Sequence, residues 1–153
     1  MALEKKEAYL KQIIIYLNKR DFAKAFSLAQ EFTQKFPDGL ISHFFLAKSA
    51  FYLKDYGVAE SEARKAFNLS NKADLVSTGI LLSSILYAKN KLKEGYGVLE
   101  SVQGCVANVK EVQELMAIFS LALNNPERAA MHMGKLLDIN KTYADDFILS
   151  LMG

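Results

Sequence analysis

Apolar residues recur at helical spacing along almost the whole chain. Near the N-terminus, Phe22, Ala25, Phe26, Ala29 and Phe32 fall on one side of a helix. Short polar segments, two of them containing proline, separate such stretches. The pattern predicts helices over residues 3–18, 22–36, 40–53, 56–69, 74–89, 92–103, 109–123 and 126–137, with a ninth beginning near Tyr143. The longest turn is expected over 103–108, and it would contain Cys105.

The predicted turns repeat at a nearly constant interval. Residues 21–25 (DFAKA) align with 55–59 (DYGVA), 91–95 (KLKEG) and 125–129 (NPERA), at offsets of 34, 36 and 34 residues. The last residue of each segment is small: Ala25, Ala59, Gly95 and Ala129. Two antiparallel helices can approach closely only where such a side chain lies between them. The repeating unit is therefore predicted to be a pair of antiparallel helices.

These repeats resemble the tetratricopeptide family, whose period is about 34 residues. The second repeat carries the resemblance best, with Leu46, Ala47, Tyr56, Ala59, Ala63 and Ala66 at the family's positions. The third departs from the family at Ser83 and Gly95, and the fourth lacks a closing proline. The resemblance implies an all-α protein: a right-handed superhelical stack of antiparallel helix pairs in a single domain, 1–153. The repeats would lie near 6–39, 40–73, 76–109 and 110–142, with a capping helix at 143–152.

In this family, ligands commonly lie against the first helices of the units, which line a concave face. The corresponding positions are Leu10, Ile14, Leu17, Asn18, Phe44, Lys48, Phe51, Tyr52, Ser77, Ile80, Ser84, Tyr87, Glu111, Glu114, Ile118 and Leu121. From these, the candidate partner-binding residues are Phe44, Lys48, Phe51, Tyr52, Ser84 and Tyr87. The alternative for Phe44, Phe51 and Tyr87 is that they only fill the core between helices.

Some members of the family grip the C-terminal carboxylate of heat-shock chaperones with a clamp of lysine, asparagine and arginine. Leu10, Ile14, Phe45, Ser77 and Leu81 stand at the five corresponding positions. None is charged, and only the serine has a side chain that donates a hydrogen bond. The sequence therefore predicts an apolar and aromatic groove without that clamp.

Overall charge favours neither nucleic acid nor an anionic membrane as a partner. Nineteen basic and 17 acidic residues leave a formal charge of +2, and the lysines of the first hairpin alternate with acidic residues. The longest apolar run, 76–88, is interrupted by serines, a threonine and a glycine, and it is shorter than the roughly 20 residues that span a bilayer. We expect no nucleic-acid binding and no membrane insertion.

The residues that carry chemistry are sparse. The chain has one cysteine, Cys105, and two histidines, His43 and His132, with no cysteine or carboxylate at ligand spacing around them. It contains no phosphate-binding loop and no nucleophile elbow. The sequence therefore predicts no catalytic residues, no metal and no cofactor. The single cysteine and the absence of a secretory signal in residues 1–11 favour the cytoplasm.

The function expected from these patterns is non-enzymatic: an adaptor or scaffold whose groove binds a peptide or helix of another protein, of unknown identity. Two alternatives remain open. One resembles the bacterial type III secretion chaperones, which hold apolar segments of cargo. The other is a homo-oligomeric structural subunit, joined through 143–152 or through the first hairpin.

Overall fold

The computed structural model describes residues 2–139, together with Leu151 and Met152. Residues 2–139 form eight α-helices and no strand: α1 (Ala2–Asn18), α2 (Phe22–Lys35), α3 (Leu40–Tyr52), α4 (Tyr56–Asn68), α5 (Leu75–Ala88), α6 (Leu92–Cys105), α7 (Lys110–Ala122) and α8 (Pro126–Ile139). Both ends of each helix lie within two residues of the predicted ones. The predicted ninth helix, 143–152, lies outside the described residues except for its last two, which are helical.

The turn inside each helix pair has the same backbone in all four units. Its residue with positive φ is Arg20, Lys54, Asn90 or Asn124, at 59°, 65°, 60° and 62° respectively. In three units the next residue caps the second helix: side-chain oxygens of Asp21, Asp55 and Asn125 accept from backbone N–H groups at 3.3, 3.4 and 3.0 Å. Lys91 has no such side-chain cap. The turn geometry therefore does not depend on the capping hydrogen bond.

The turn between the third and fourth units is shorter than predicted. Helix α6 continues past Gln103 and ends at Cys105, so this cysteine is the last helical residue and not part of a loop. The Gln103 side chain accepts a hydrogen bond from Gln113 Nε2 at 2.6 Å, which ties the end of α6 to α7. The run of polar and small residues suggested a turn, but this tertiary contact favours continued helix.

The helices stack in chain order, each packing against the next. Helix α5 also contacts α3 and α7, so the first helices of the second, third and fourth units form a continuous inner layer. Buried alanines let the two helices of a pair approach; Ala47 and Ala50 on α3 pack in one core cluster with Ala59 and Ala63 on α4. The inner layer is the surface on which the candidate site lies.

At two glycines in the second half of the chain, a neighbouring side chain leaves no room for a Cβ. A Cβ at Gly95 would lie 2.5 Å from Cε1 of Phe119, and one at Gly79 would lie 2.4 Å from Cγ2 of Val102. The other three units have alanine where the third has Gly95. The glycine that weakened the sequence match is therefore required, because the buried Phe119 ring of the next unit occupies the space of its Cβ.

An ion network joins the second unit to the third. The carboxylate of Glu60 on α4 accepts from Lys89 Nζ at 2.7 Å, from Lys91 Nζ at 3.0 Å and from Arg64 Nε at 3.0 Å. Arg64 also pairs with Glu94 on α6. Chiefly through the Lys89 hydrogen bond, these cations lower the pKa of Glu60 to about 2. The Glu60 side chain is 13% exposed and those of Arg64 and Lys91 are 38% and 41% exposed, so the network lies at the surface.

A neutral hydrogen-bond relay joins the third unit to the fourth. His132 Nδ1 lies 2.9 Å from Gln113 Oε1, and His132 Nε2 lies 2.7 Å from the Tyr96 hydroxyl. With Nδ1 donating to the glutamine oxygen, Nε2 accepts from tyrosine, so the neutral imidazole satisfies both partners. Burial lowers the pKa of His132 and raises that of Tyr96, with nearby Lys135 and Arg128 also lowering that of the histidine.

Candidate functional site

A cavity of about 210 Å³ lies between α3 and α5 on the inner layer. Its lining is Phe44, Lys48, Phe51, Tyr52, Ser77, Ile80, Leu81 and Ser84. Five of the six candidate residues named from the sequence are in this set. Their spacing along α3 and α5 places them on the facing sides of two helices from successive units.

Tyr87, the sixth candidate, lies apart from the cavity lining. It is one residue short of the end of α5, it is 44% exposed, and its ring meets Phe119 edge-on at 5.2 Å between centroids. The same inner face continues onto α7, where Ile118 and Leu121 are exposed. The Tyr87 ring therefore joins α5 to α7, the helix that carries these exposed apolar residues.

The aromatic residues of the site are only partly used by the core. Phe51 is half-buried and packs against the cluster formed by α3, α4 and α5. Phe44 is half-buried and meets Phe45 edge-on at 5.4 Å. Tyr52 is 45% exposed and stacks on Phe22 of α2, with ring centroids 4.8 Å apart. Each ring therefore has one side on the protein and contributes apolar surface to the cavity.

A second cavity, of about 470 Å³, adjoins the first at the N-terminal end of the inner layer. Its lining is Leu17, Asn18, Arg20, Phe22, Lys48 and Tyr52. Lys48 and Tyr52 line both cavities, so the two cavities adjoin at these side chains and together make up a depression on the inner layer. Leu17 and Asn18 were expected on this face from family positions, whereas Arg20 and Phe22 were not.

Arg20 and Phe22 were not predicted from the sequence because they belong to the turn and to the second helix, not to a first helix. The available signal was their place in the repeat, on either side of the capping residue Asp21. Arg20 has positive φ in the turn after α1, and α2 starts at Phe22, whose ring stacks on Tyr52 at the end of α3. The family positions used for prediction cover only first helices.

The charged groups of the depression are both cationic. Lys48 Nζ lies 6.0 Å from the centroid of the Phe44 ring, and Arg20 extends from the turn. Within the described residues, neither side chain lies within ion-pairing distance of a carboxylate. The five residues at the positions of the heat-shock clamp lie on α1, α3 and α5. Two of them, Ser77 and Leu81, line the smaller cavity.

The two histidines have structural partners. His43 Nδ1 lies 2.5 Å from Glu62 Oε2 and its Nε2 lies 2.7 Å from the Pro37 carbonyl oxygen, which links α3 to α4 and to the end of α2. His132 belongs to the relay described above. Over residues 2–139, no group of three histidine, cysteine or acidic residues could hold a metal ion. None of the helices described has the length and apolar character needed to cross a bilayer.

Comparison with known proteins adds structural relatives but no sequence relatives. No protein-family model matches the chain, and no curated protein matches it by sequence. A crystal structure of MamA superposes with a TM-score of 0.81 at 12% identity, covering 92% of this chain and 81% of MamA. MamA from Desulfovibrio magneticus RS-1 gives a TM-score of 0.79 at 13% identity, covering 90% and 76%.

Two similar structures are described as tetratricopeptide proteins. YrrB, a TPR protein with an unusual peptide-binding site, has a TM-score of 0.76 at 16% identity, covering 89% of this chain and 69% of YrrB. TTC0263, a thermophilic TPR protein from Thermus thermophilus, gives 0.76 at 13% identity, covering 89% and 75%. The chain therefore has the tetratricopeptide-repeat fold that its repeating turns predict.

Proposed function

We propose that this protein is a non-enzymatic interaction module that binds an extended or helical segment of another protein in the groove between α3 and α5. The observation that carries the proposal is the depression on the inner layer, where half-buried and exposed aromatic rings surround a cavity of about 210 Å³. A groove of this kind suits a segment that inserts apolar side chains and leaves its polar face in water.

The residues have distinct parts in this proposal. Phe44, Phe51 and Tyr52 form apolar walls for an anchor residue, and Ser84 leaves room for it on α5. Tyr87 and the exposed residues of α7 extend the contact surface along the same face. The peptide-binding site of YrrB, a protein of the same fold, supports the general type of ligand and not its sequence.

The test is to block the groove with one bulky side chain. Peptides enriched from a displayed random library on the purified chain serve as probes, and their affinity is measured by fluorescence anisotropy. Ser84→Trp places an indole where the cavity lies, and it should weaken binding at least tenfold because the anchor residue loses its space.

Ser101→Trp is the matched control. Ser84 and Ser101 are both helical serines whose hydroxyls donate to the carbonyl four residues earlier, at 2.7 and 3.4 Å respectively, but Ser101 is exposed on α6, a second helix. Ser101→Trp should leave affinity unchanged. Equal binding by all three proteins, each with a normal thermal unfolding transition, would rule out the α3–α5 groove.

A further inference from the structure

The larger cavity, at the turn of the first unit, differs chemically from the groove it adjoins. Its six lining residues include Arg20, Lys48 and Asn18, three side chains that can donate hydrogen bonds to an anion. The groove proper offers mainly aromatic and aliphatic surface, with two serines and with Lys48, which lines both cavities. From the groove to the larger cavity, the lining therefore gains a second cation, Arg20, and loses most of its apolar residues.

Neither cation of this cavity forms an ion pair with an acid among the described residues. Asp21 is the acidic residue next to Arg20, and its carboxylate caps α2 and lies 3.7 Å from Lys24 Nζ. The stacked rings of Phe22 and Tyr52 form an apolar wall beside the cations. Such a wall lowers the local dielectric and strengthens a charge pair relative to one in open water.

We infer that the bound segment carries an aspartate or glutamate side chain at the end that leaves the groove towards α1, and that Arg20 and Lys48 bind this carboxylate. The inference rests on the proposed function, since the same segment occupies both cavities. Guanidinium groups bind carboxylates through two parallel hydrogen bonds, and Lys48 adds a second charge from α3. Asn18 supplies a neutral donor from the end of α1.

Arg20 does not lie at a position of the carboxylate clamp that some tetratricopeptide proteins use. Arg20 is the turn residue with φ of 59°, outside the first helices that supply the clamp residues. The clamp positions themselves are apolar apart from Ser77. The anion-binding surface is formed instead by the turn and by Lys48, one turn of helix before the end of α3.

The experiment changes the turn residue without changing its backbone. Asparagine occupies the equivalent positive-φ position in the third and fourth units, so Arg20→Asn removes the charge and retains a residue suited to that conformation. Lys54→Asn is the matched control, because it makes the same kind of change in the second unit's turn, at a residue that lines neither cavity.

The probes are the peptides enriched on the wild-type chain, each compared with a version whose acidic residues are converted to amides. Arg20→Asn should weaken binding of the acidic peptides about fivefold, leave the amide versions unchanged and reduce the salt dependence of binding. Lys54→Asn should bind like wild type. The inference is overturned if no peptide is enriched, if the enriched peptides lack acidic residues, or if Arg20→Asn binds acid and amide versions as wild type does.

The same measurements separate this inference from the proposed function. Loss of binding in Ser84→Trp with none in Arg20→Asn would remove the acidic subsite and support the groove. Loss in Arg20→Asn with none in Ser84→Trp would contradict the groove and the continuous path between the cavities. An acid that binds only as a free terminal carboxylate, tested by amidating the peptide's C-terminus, would overturn the assignment to a side chain.

Discussion

Glu60 and Tyr96 occupy the same place in successive repeats, directly after Ala59 and Gly95, and each connects its unit to the next. Glu60 does so with a carboxylate surrounded by cations near solvent, and Tyr96 with a hydroxyl bound to a buried histidine. A surface ion network tolerates small shifts because water can complete its hydrogen bonds. Water cannot replace a lost hydrogen bond so easily in a buried relay, so each group depends on the others for its hydrogen bonds.

The fold therefore leaves the chemistry of each junction open. The close approach of two helices requires a small residue where they meet. The next residue can be charged or aromatic, depending on which side chains of the following unit lie beside it. The groove lies between α3 and α5, so its geometry relies on the junction held by Glu60. The junction at Tyr96 instead fixes the α7 end of the inner layer.

The largest effect is expected from His132→Leu. Leucine leaves the Tyr96 hydroxyl and the Gln113 oxygen without the partners they have on His132, both in a buried site. We expect a loss of about 2–4 kcal/mol in the free energy of unfolding at pH 8, measured by urea denaturation. Met131→Leu and Met133→Leu, at exposed flanking positions, should change it by less than about 0.5 kcal/mol.

The pH dependence of stability in wild type and in His132→Leu tests whether the buried His132 is neutral. The pKa of His132 is lowered from its ordinary 6.5, so the unfolded chain binds a proton that the native state resists. The wild-type free energy of unfolding should therefore be fully retained above pH 6.5 and decline as the pH falls below it. His132→Leu should lack this decline. Parallel curves for the two proteins would contradict the buried neutral relay.

The second effect tests the close packing at the same junction. In Gly95→Ala the new methyl would meet the Phe119 ring, which is fully buried and cannot turn aside freely. We expect a loss of about 1–3 kcal/mol. Gly97→Ala on the same helix meets nothing within 4 Å and should gain about 0.5–1 kcal/mol, because alanine is the better helix former.

Rescue distinguishes overpacking from other causes. The third unit has Ile85 where the fourth has Phe119, and Ile85 packs in one core cluster with Ala59. The double variant Gly95→Ala, Phe119→Ile therefore copies a pair that the chain already contains. It should recover part of the loss relative to Gly95→Ala alone, and a purely additive result would show that the ring is not what excludes the methyl.

These residues also show where sequence reasoning succeeded. The small residues at 25, 59, 95 and 129 and the polar turns around them predicted all eight described helices, because local spacing decides where helices begin and end. The same spacing brought Phe44 and Ser84 together across the α3–α5 groove. Gly95 was counted as a departure from the family, since its cause, Phe119, lies 24 residues later in another unit.

Contacts between side chains of different helices were harder to predict. The distance in sequence between Tyr96 and His132, or between Arg20 and Lys48, has no fixed relation to a helical period. Their proximity follows from the superhelical stacking of units, which a single sequence does not specify at side-chain resolution. The two histidines were weighed only as metal ligands, and the relay and the Glu62 pair were missed.

The smallest effect is expected from Glu60→Gln. Because the surrounding cations hold the pKa of Glu60 at about 2, against an ordinary 4.5, its ion network stabilises the native state above pH 4.5 and loses that effect as the pH falls towards 2. Screening at the exposed Arg64 and Lys91 limits the contribution at pH 7 to about 1–2 kcal/mol. Glu7→Gln, at an exposed position of α1, should change stability by less than about 0.5 kcal/mol.

Salt separates the two junctions, because only surface charges are strongly screened. In 1 M salt, the difference in the free energy of unfolding between wild type and Glu60→Gln should shrink, and the difference between wild type and His132→Leu should not. Equal salt dependence of the two differences would refute the distinction between an ion network and a buried neutral relay.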